Sequence, residues 1–149
     1  MKNKSRSTPT VSPVDDAVCR LEPDKVAEVS IAAQCQSDAN LSSEFKEFIS
    51  RTLDPDPRVR KQMLKEMCPC RVRADIDLMW ARIIELTSDE SDIVRDQALH
   101  ALGDGSPRAM EATVMEIAER LYNDPSDAVR SKARRMVNAY RRTGKWNVL

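Results

Sequence analysis

The chain has 149 residues, enough for one ordinary domain or a few stacked repeats with a tail, and too few for a second enzyme-sized domain. Its 3 glycines, 4% aromatic content and 32% charged content fit helix-rich and repeat proteins, whereas sandwiches, barrels and doubly wound sheets need glycine-bearing turns. Lysine plus arginine and aspartate plus glutamate each number 24, so no global field draws nucleic acid or an anionic membrane to the chain.

Residues 1–22 are rich in Ser, Thr and Pro and are expected to form a disordered tail. Lys2, Lys4 and Arg6 are followed by Pro9, Pro13, Asp15 and Asp16 without an apolar run of signal-peptide length. No later segment approaches the roughly 20 apolar residues of a membrane helix, so a soluble, cytoplasmic protein is expected. On that expectation Cys19, Cys35, Cys68 and Cys70 read as reduced thiols and not as a disulfide framework.

A weak amphipathic stretch follows Pro23 (Val26, Val29, Ala33), and a stronger one carries Phe45, Phe48, Ile49 and Leu53. Val-Arg then recurs at Val59-Arg60, Val94-Arg95 and Val129-Arg130, a constant spacing of 35 residues (94 − 59 = 129 − 94). A fixed period of this length marks stacked helical repeats, here starting near residues 54, 89 and 124. Each copy is preceded by acidic or prolyl residues, Asp54 to Pro57, Asp89 to Asp92 and Asp124 to Asp127, which predict helix caps and first turns.

The stripes Val59, Met63, Leu64, Met67, then Val94, Ala98, Ala101, Leu102, then Val129, Ala133, Met136, Val137, Tyr140 predict the first helices of three repeats. Second helices are predicted over Ile76, Met79, Trp80, Ile83, Ile84 and over Met110, Val114, Ile117, Ala118, Leu121, after turns at Cys68-Pro69-Cys70 and Gly103 to Pro107. After Tyr140 a third second helix is expected and none follows. Gly144 suits a left-handed cap, and Lys145 to Leu149 are too few to form a helix. The expected organisation is a repeat domain over residues 23–143 and an apolar tail over 144–149.

The pattern Asp89-x-x-x-x-Val94-Arg95-x-x-Ala98-x-x-Ala101-Leu102-Gly103-x-Gly105 resembles the HEAT-repeat family, in the short variety also found in phycobilisome-lyase-type repeats, over about residues 42–142. The resemblance implies an all-α fold, a short α-solenoid or armadillo-type superhelix of antiparallel helix pairs. It also implies a structural ladder of loop aspartate and arginine between neighbouring repeats, by position Asp54 with Arg60, Asp89 with Arg95 and Asp124 with Arg130. The implied role is a non-catalytic scaffold or adaptor that binds a protein or peptide, with no cofactor and no membrane. The phycobilisome-type likeness adds an alternative, an accessory lyase or chaperone for a chromophore protein.

Charge suggests a different alternative. After Asp127 only bases appear, Arg130, Lys132, Arg134, Arg135, Arg141, Arg142 and Lys145, so the last helix could serve a nucleic-acid-binding module. Arg134, Arg135, Arg141, Arg142 and Trp146 are the candidate partner-binding residues, with Trp146 expected to cap the last helix. Cys68, Cys70 and His100 could approach one another across neighbouring repeats, but C-x-C is not the usual zinc spacing and a fourth ligand is missing, so no metal site is predicted. His100 has no Ser-His-Asp or Cys-His arrangement around it, and Gly103-Asp104-Gly105-Ser106 lacks the lysine of a phosphate loop, so no catalysis is expected.

Overall fold

The structure, a computed structural model, describes residues 42–68 and 77–149, which form six α-helices and no strand. In chain order these are α1 (Ser43–Arg51), α2 (Pro57–Glu66), α3 (Asp77–Leu86), α4 (Asp92–Gly105), α5 (Glu111–Arg120) and α6 (Asp127–Thr143), with 3-10 turns at Arg108–Met110 and Leu121–Asn123. None of these helices is long and apolar enough to cross a membrane. The N-terminal tail, the stretch after Pro23 and the Cys-Pro-Cys turn beyond Cys68 lie outside the described residues.

The helix starts depart from the expected capping. Asp56 does cap α2, accepting the Arg58 N–H at 2.8 Å, with Pro57 presetting the first helical φ. At α4 and α6 the N-caps are Ser91 and Ser126, and neither makes a side-chain cap bond. The recurring aspartate acts two residues earlier: Asp54, Asp89 and Asp124 accept the N–H groups of Asp56, Ser91 and Ser126, each at 2.8 Å. A carboxylate in that position mimics a backbone carbonyl and closes an Asx-type turn, so the repeated aspartate shapes the turn. At the far end Gly144 takes the left-handed conformation (φ 66°), and its N–H reaches the Tyr140 carbonyl at 2.8 Å, which stops α6.

The helices also pair across the aspartate-bearing turns. α3 packs on α4 and α5 on α6, each pair joined by the turn that carries the aspartate, and α1 meets α2 across the first such turn; among the described residues α4 meets α5 only lightly. Across these turns the helices form the hairpins α1–α2, α3–α4 and α5–α6, with a Val-Arg helix second in each. Periodicity could not reveal this, because an apolar stripe shows that a face is buried and not which neighbour covers it.

The Val-Arg helices also stack on one another, α2 on α4 and α4 on α6, and the first of these is the most extensive helix contact among the described residues. Central α4 consequently buries more than one stripe: Val94, Gln97, Ala98, Leu99, Ala101, Leu102 and Gly103 are all buried. A single core runs through every helix and includes Phe48, Leu64, Met79, Ile83, Leu99, Val114 and Met136, each nearly or wholly inaccessible. Burying one such side chain contributes about 2 kcal/mol. Leu53, expected to extend the α1 stripe, instead lies in the turn after α1 and is 48% exposed.

Candidate functional site

The charged ladder forms, but its rungs differ from those expected by position. Arg60 grips both carboxylate oxygens of Asp89, Nε to Oδ2 at 2.9 Å and Nη2 to Oδ1 at 2.7 Å. Arg95 grips Asp124 in the same bidentate way, with both bonds at 2.9 Å. Within its own repeat each arginine meets only backbone: Arg60 donates to the carbonyls of Asp54 (2.8 Å) and Pro55 (3.1 Å), and Arg95 to those of Asp89 (2.9 Å) and Glu90 (3.0 Å). Each arginine thus ties its own turn to the next one, 29 residues along the chain. The physical reason is reach, since the fork that holds its own turn's carbonyls points its remaining N–H groups at the neighbouring hairpin.

The rungs polarise their members. The hydrogen bonds it donates to Asp89 hold the Arg60 guanidinium above its ordinary value, and those to Asp124 do the same for Arg95. Burial pushes the Asp124 carboxyl up, but the Arg95 and Ser126 hydrogen bonds and the charges of Arg95 and Arg130 outweigh it, so the carboxyl sits below its ordinary value. At the last turn there is no following hairpin. Arg130 bonds to the Asp124 and Pro125 carbonyls and pairs with the exposed Asp127 of its own helix.

The candidate partner residues fall into two groups. Arg134, Arg135, Arg141 and Arg142 are all exposed on α6, opposite the buried Val129, Ala133, Met136 and Val137. Arg134 lies over the Tyr122 ring, 5.0 Å from its centroid, and donates to the Tyr122 carbonyl at 3.1 Å. Arg141 meets Glu119 at 3.6 Å, and Arg142 bonds to the Asn138 carbonyl at 3.3 Å.

Trp146 behaves differently. It is only 7% exposed and donates its indole N–H to the Ser106 hydroxyl at 2.8 Å, so it belongs to the packed end of the molecule and not to a contact surface. Leu149 follows it down onto Gly103. A Cβ at Gly103 would come within 2.5 Å of Leu149 Cδ1 and 3.1 Å of Met136 Cε, so the missing side chain is the space the tail occupies. Beside the tail an open cleft of about 300 Å³ is bordered by Ser106, Arg108 and Lys145.

Cys68 and His100 do come together, and Asp104 joins them. One ligating atom from each of the three lies within 4.8 Å of the other two, and Cys68 Sγ stands 3.5 Å from Asp104 Oδ2. Cys68 is buried just past the end of α2, while His100 and Asp104 sit half-buried one turn apart on α4. Cys70, the third sequence candidate, lies outside the described residues.

The chain matches no protein-family model, no curated protein and no solved structure.

Sequence reasoning missed two sets of residues. A second arginine series runs on the other helix layer: Arg82 of α3 donates to the Thr52 hydroxyl (3.0 Å) and carbonyl (2.9 Å), and Arg120 of α5 to the hydroxyls of Thr87 and Ser88, both at 2.6 Å. Thr52 and Thr87 are themselves 35 residues apart and fully buried, a signal available in the sequence. Asp104 was passed over as a turn residue. Its position four residues after His100 in a helix was the clue, since that spacing stacks the two side chains on one face.

Proposed function

We propose that the chain is a short HEAT-like α-solenoid that serves as a non-catalytic scaffold, binding an acidic protein or peptide along the outer face of α6. The observation that carries this reading is the set of exposed arginines 134, 135, 141 and 142 on a helix whose opposite face is anchored in the core. A rigid helix presenting planar guanidinium forks suits bidentate capture of carboxylates. The solenoid part of the reading draws support from the Arg60–Asp89 and Arg95–Asp124 rungs, which repeat the same geometry between successive turns. Neighbour-to-neighbour links of this kind are how repeat arrays gain stability.

The test is affinity purification with mass spectrometry from the cells of origin, using the wild-type chain beside a variant with Arg134, Arg135, Arg141 and Arg142 all changed to Gln. Selective loss of acidic protein partners from the variant supports the reading. Full retention of the same partners by the variant overturns the basic face as the interface. A capture dominated by nucleic acid, with affinity falling steeply as salt rises, would assign the face to phosphate instead.

A further inference from the structure

We propose that Cys68, His100 and Asp104 form a binding site for a divalent zinc-class metal ion that staples the end of α2 to α4. This inference is independent of the basic face of α6 and stands or falls separately from it. The three donors come from the residue just past the end of α2 and from α4, and converge within 4.8 Å.

The spacing fits a metal better than the chemistry of a turn requires. Zinc bonded to sulfur at about 2.3 Å and to carboxylate oxygen at about 2.0 Å, at a tetrahedral angle, holds those two atoms about 3.5 Å apart. Cys68 Sγ and Asp104 Oδ2 are 3.5 Å apart. A thiol–carboxylate hydrogen bond alone would be satisfied at that separation, but it gives no reason for an imidazole to converge on the same point. His100 and Asp104, four residues apart on α4, present their side chains from adjacent turns of one face.

The local field points the same way. Asp104 sits in the last turn of α4, which carries no basic residue, and the negative end of the helix dipole disfavours a carboxylate there. Cys68 lies just beyond the C-terminal end of α2, a second negative helix end. A cation between them offsets both, and nearly complete burial of Cys68 keeps its sulfur away from bulk water.

The donor set selects the ion. A soft thiolate and a borderline imidazole beside one carboxylate differ from the all-oxygen shells of calcium and magnesium, and suit zinc with its fourth tetrahedral position left to water or a further donor. Binding takes Cys68 as thiolate and releases its proton to solvent. The consequence is structural: an ion bridging the end of α2 and α4 reinforces the most extensive helix contact among the described residues and binds only the folded chain.

The experiment uses the full chain without an affinity tag, reduced, stripped with chelator and then equilibrated with Zn²⁺ or Co²⁺. The expected result is one Zn²⁺ per chain by elemental analysis, a higher Tm with Zn²⁺, and a sulfur-to-metal charge-transfer band with Co²⁺. Because losing even outer-shell partners weakens metal sites roughly 10- to 100-fold, H100Q and D104N should each weaken zinc affinity by at least about 100-fold. Both positions are half-buried, so these variants should fold, which circular dichroism checks; C68S should abolish the charge-transfer band. Zinc content near zero in the wild type overturns the proposal. So does zinc binding that H100Q and D104N leave unchanged, since the ion would then reside on other cysteines.

Discussion

The Trp146 indole donates to the Ser106 hydroxyl at 2.8 Å, and that hydroxyl donates in turn to the Leu102 carbonyl at 2.6 Å. The relay joins the last residues of the chain to the last turn of α4, 40 residues earlier. It satisfies a helix-end carbonyl, an indole N–H and a buried serine together, each of which would be costly if left without a partner. The tail is thus the cover for the end of the α4 and α6 layer.

Trp146→Ala should destabilise the chain by about 3 kcal/mol, the cost of emptying a buried aromatic site, with Ser106 losing its partner as well. Urea denaturation followed by far-UV circular dichroism measures it. A change below about 0.5 kcal/mol would mean the tail contributes nothing to the fold.

Gly103→Ala should loosen the tail without unfolding the helix. The new methyl would collide with Leu149, a terminal side chain able to swing away, while alanine in place of glycine favours the helix by about 1 kcal/mol. Net stability should therefore change little, and Trp146 should become more accessible. Acrylamide quenching in a Trp80→Phe background reads this directly, and unchanged quenching would refute the displacement.

Asp124→Ala should cost about 3 kcal/mol, at the low end for breaking a buried ion pair, because Arg95 retains its bonds to the Asp89 and Glu90 carbonyls. The Asp124 side chain is 4% exposed and that of Arg95 13%, so the guanidinium left behind is poorly solvated. Asp127→Ala, at the open end of the ladder where the carboxylate is 93% exposed, should cost less than about 1 kcal/mol. Equal effects at the two positions would contradict a load shared between hairpins.

Acid should weaken the same rung. The folded-state value of Asp124 lies below its ordinary 3.8, so its contribution is present above 3.8 and is lost as pH falls through the lower folded value. The urea midpoint should drop between pH 7 and pH 3 in the wild type, and by less in Asp124→Asn, which has no carboxyl at this position to titrate. The same drop in both proteins would show that other carboxylates dominate.

Much of the helical layout was legible in the sequence, for identifiable reasons. The 35-residue recurrence at Val59, Val94 and Val129 reports buried faces, and burial repeats with the helices. What could not be read was partnership. The six-residue spacing of Asp89 and Arg95 suggests a pair, yet Arg95 meets only the Asp89 carbonyl and takes its carboxylate from Asp124. Likewise Trp146 could be recognised as apolar and terminal, but its Ser106 partner required the fold. At the Cys68, His100 and Asp104 cluster two members were candidates from residue type alone, and the third emerged only because α2 lies on α4.

The arginine rung also sets a rule for how this chain can change length. Each rung needs an arginine in one turn and an aspartate 29 residues later, so inserting one whole period of 35 residues presents the same pair again at the next turn. A change of another size within a helix rotates the arginine away from its carboxylate and leaves a buried charge without its partner. The molecule is in that sense quantised: lengthening by whole units is tolerated, and drift by single residues is confined to the connections between hairpins.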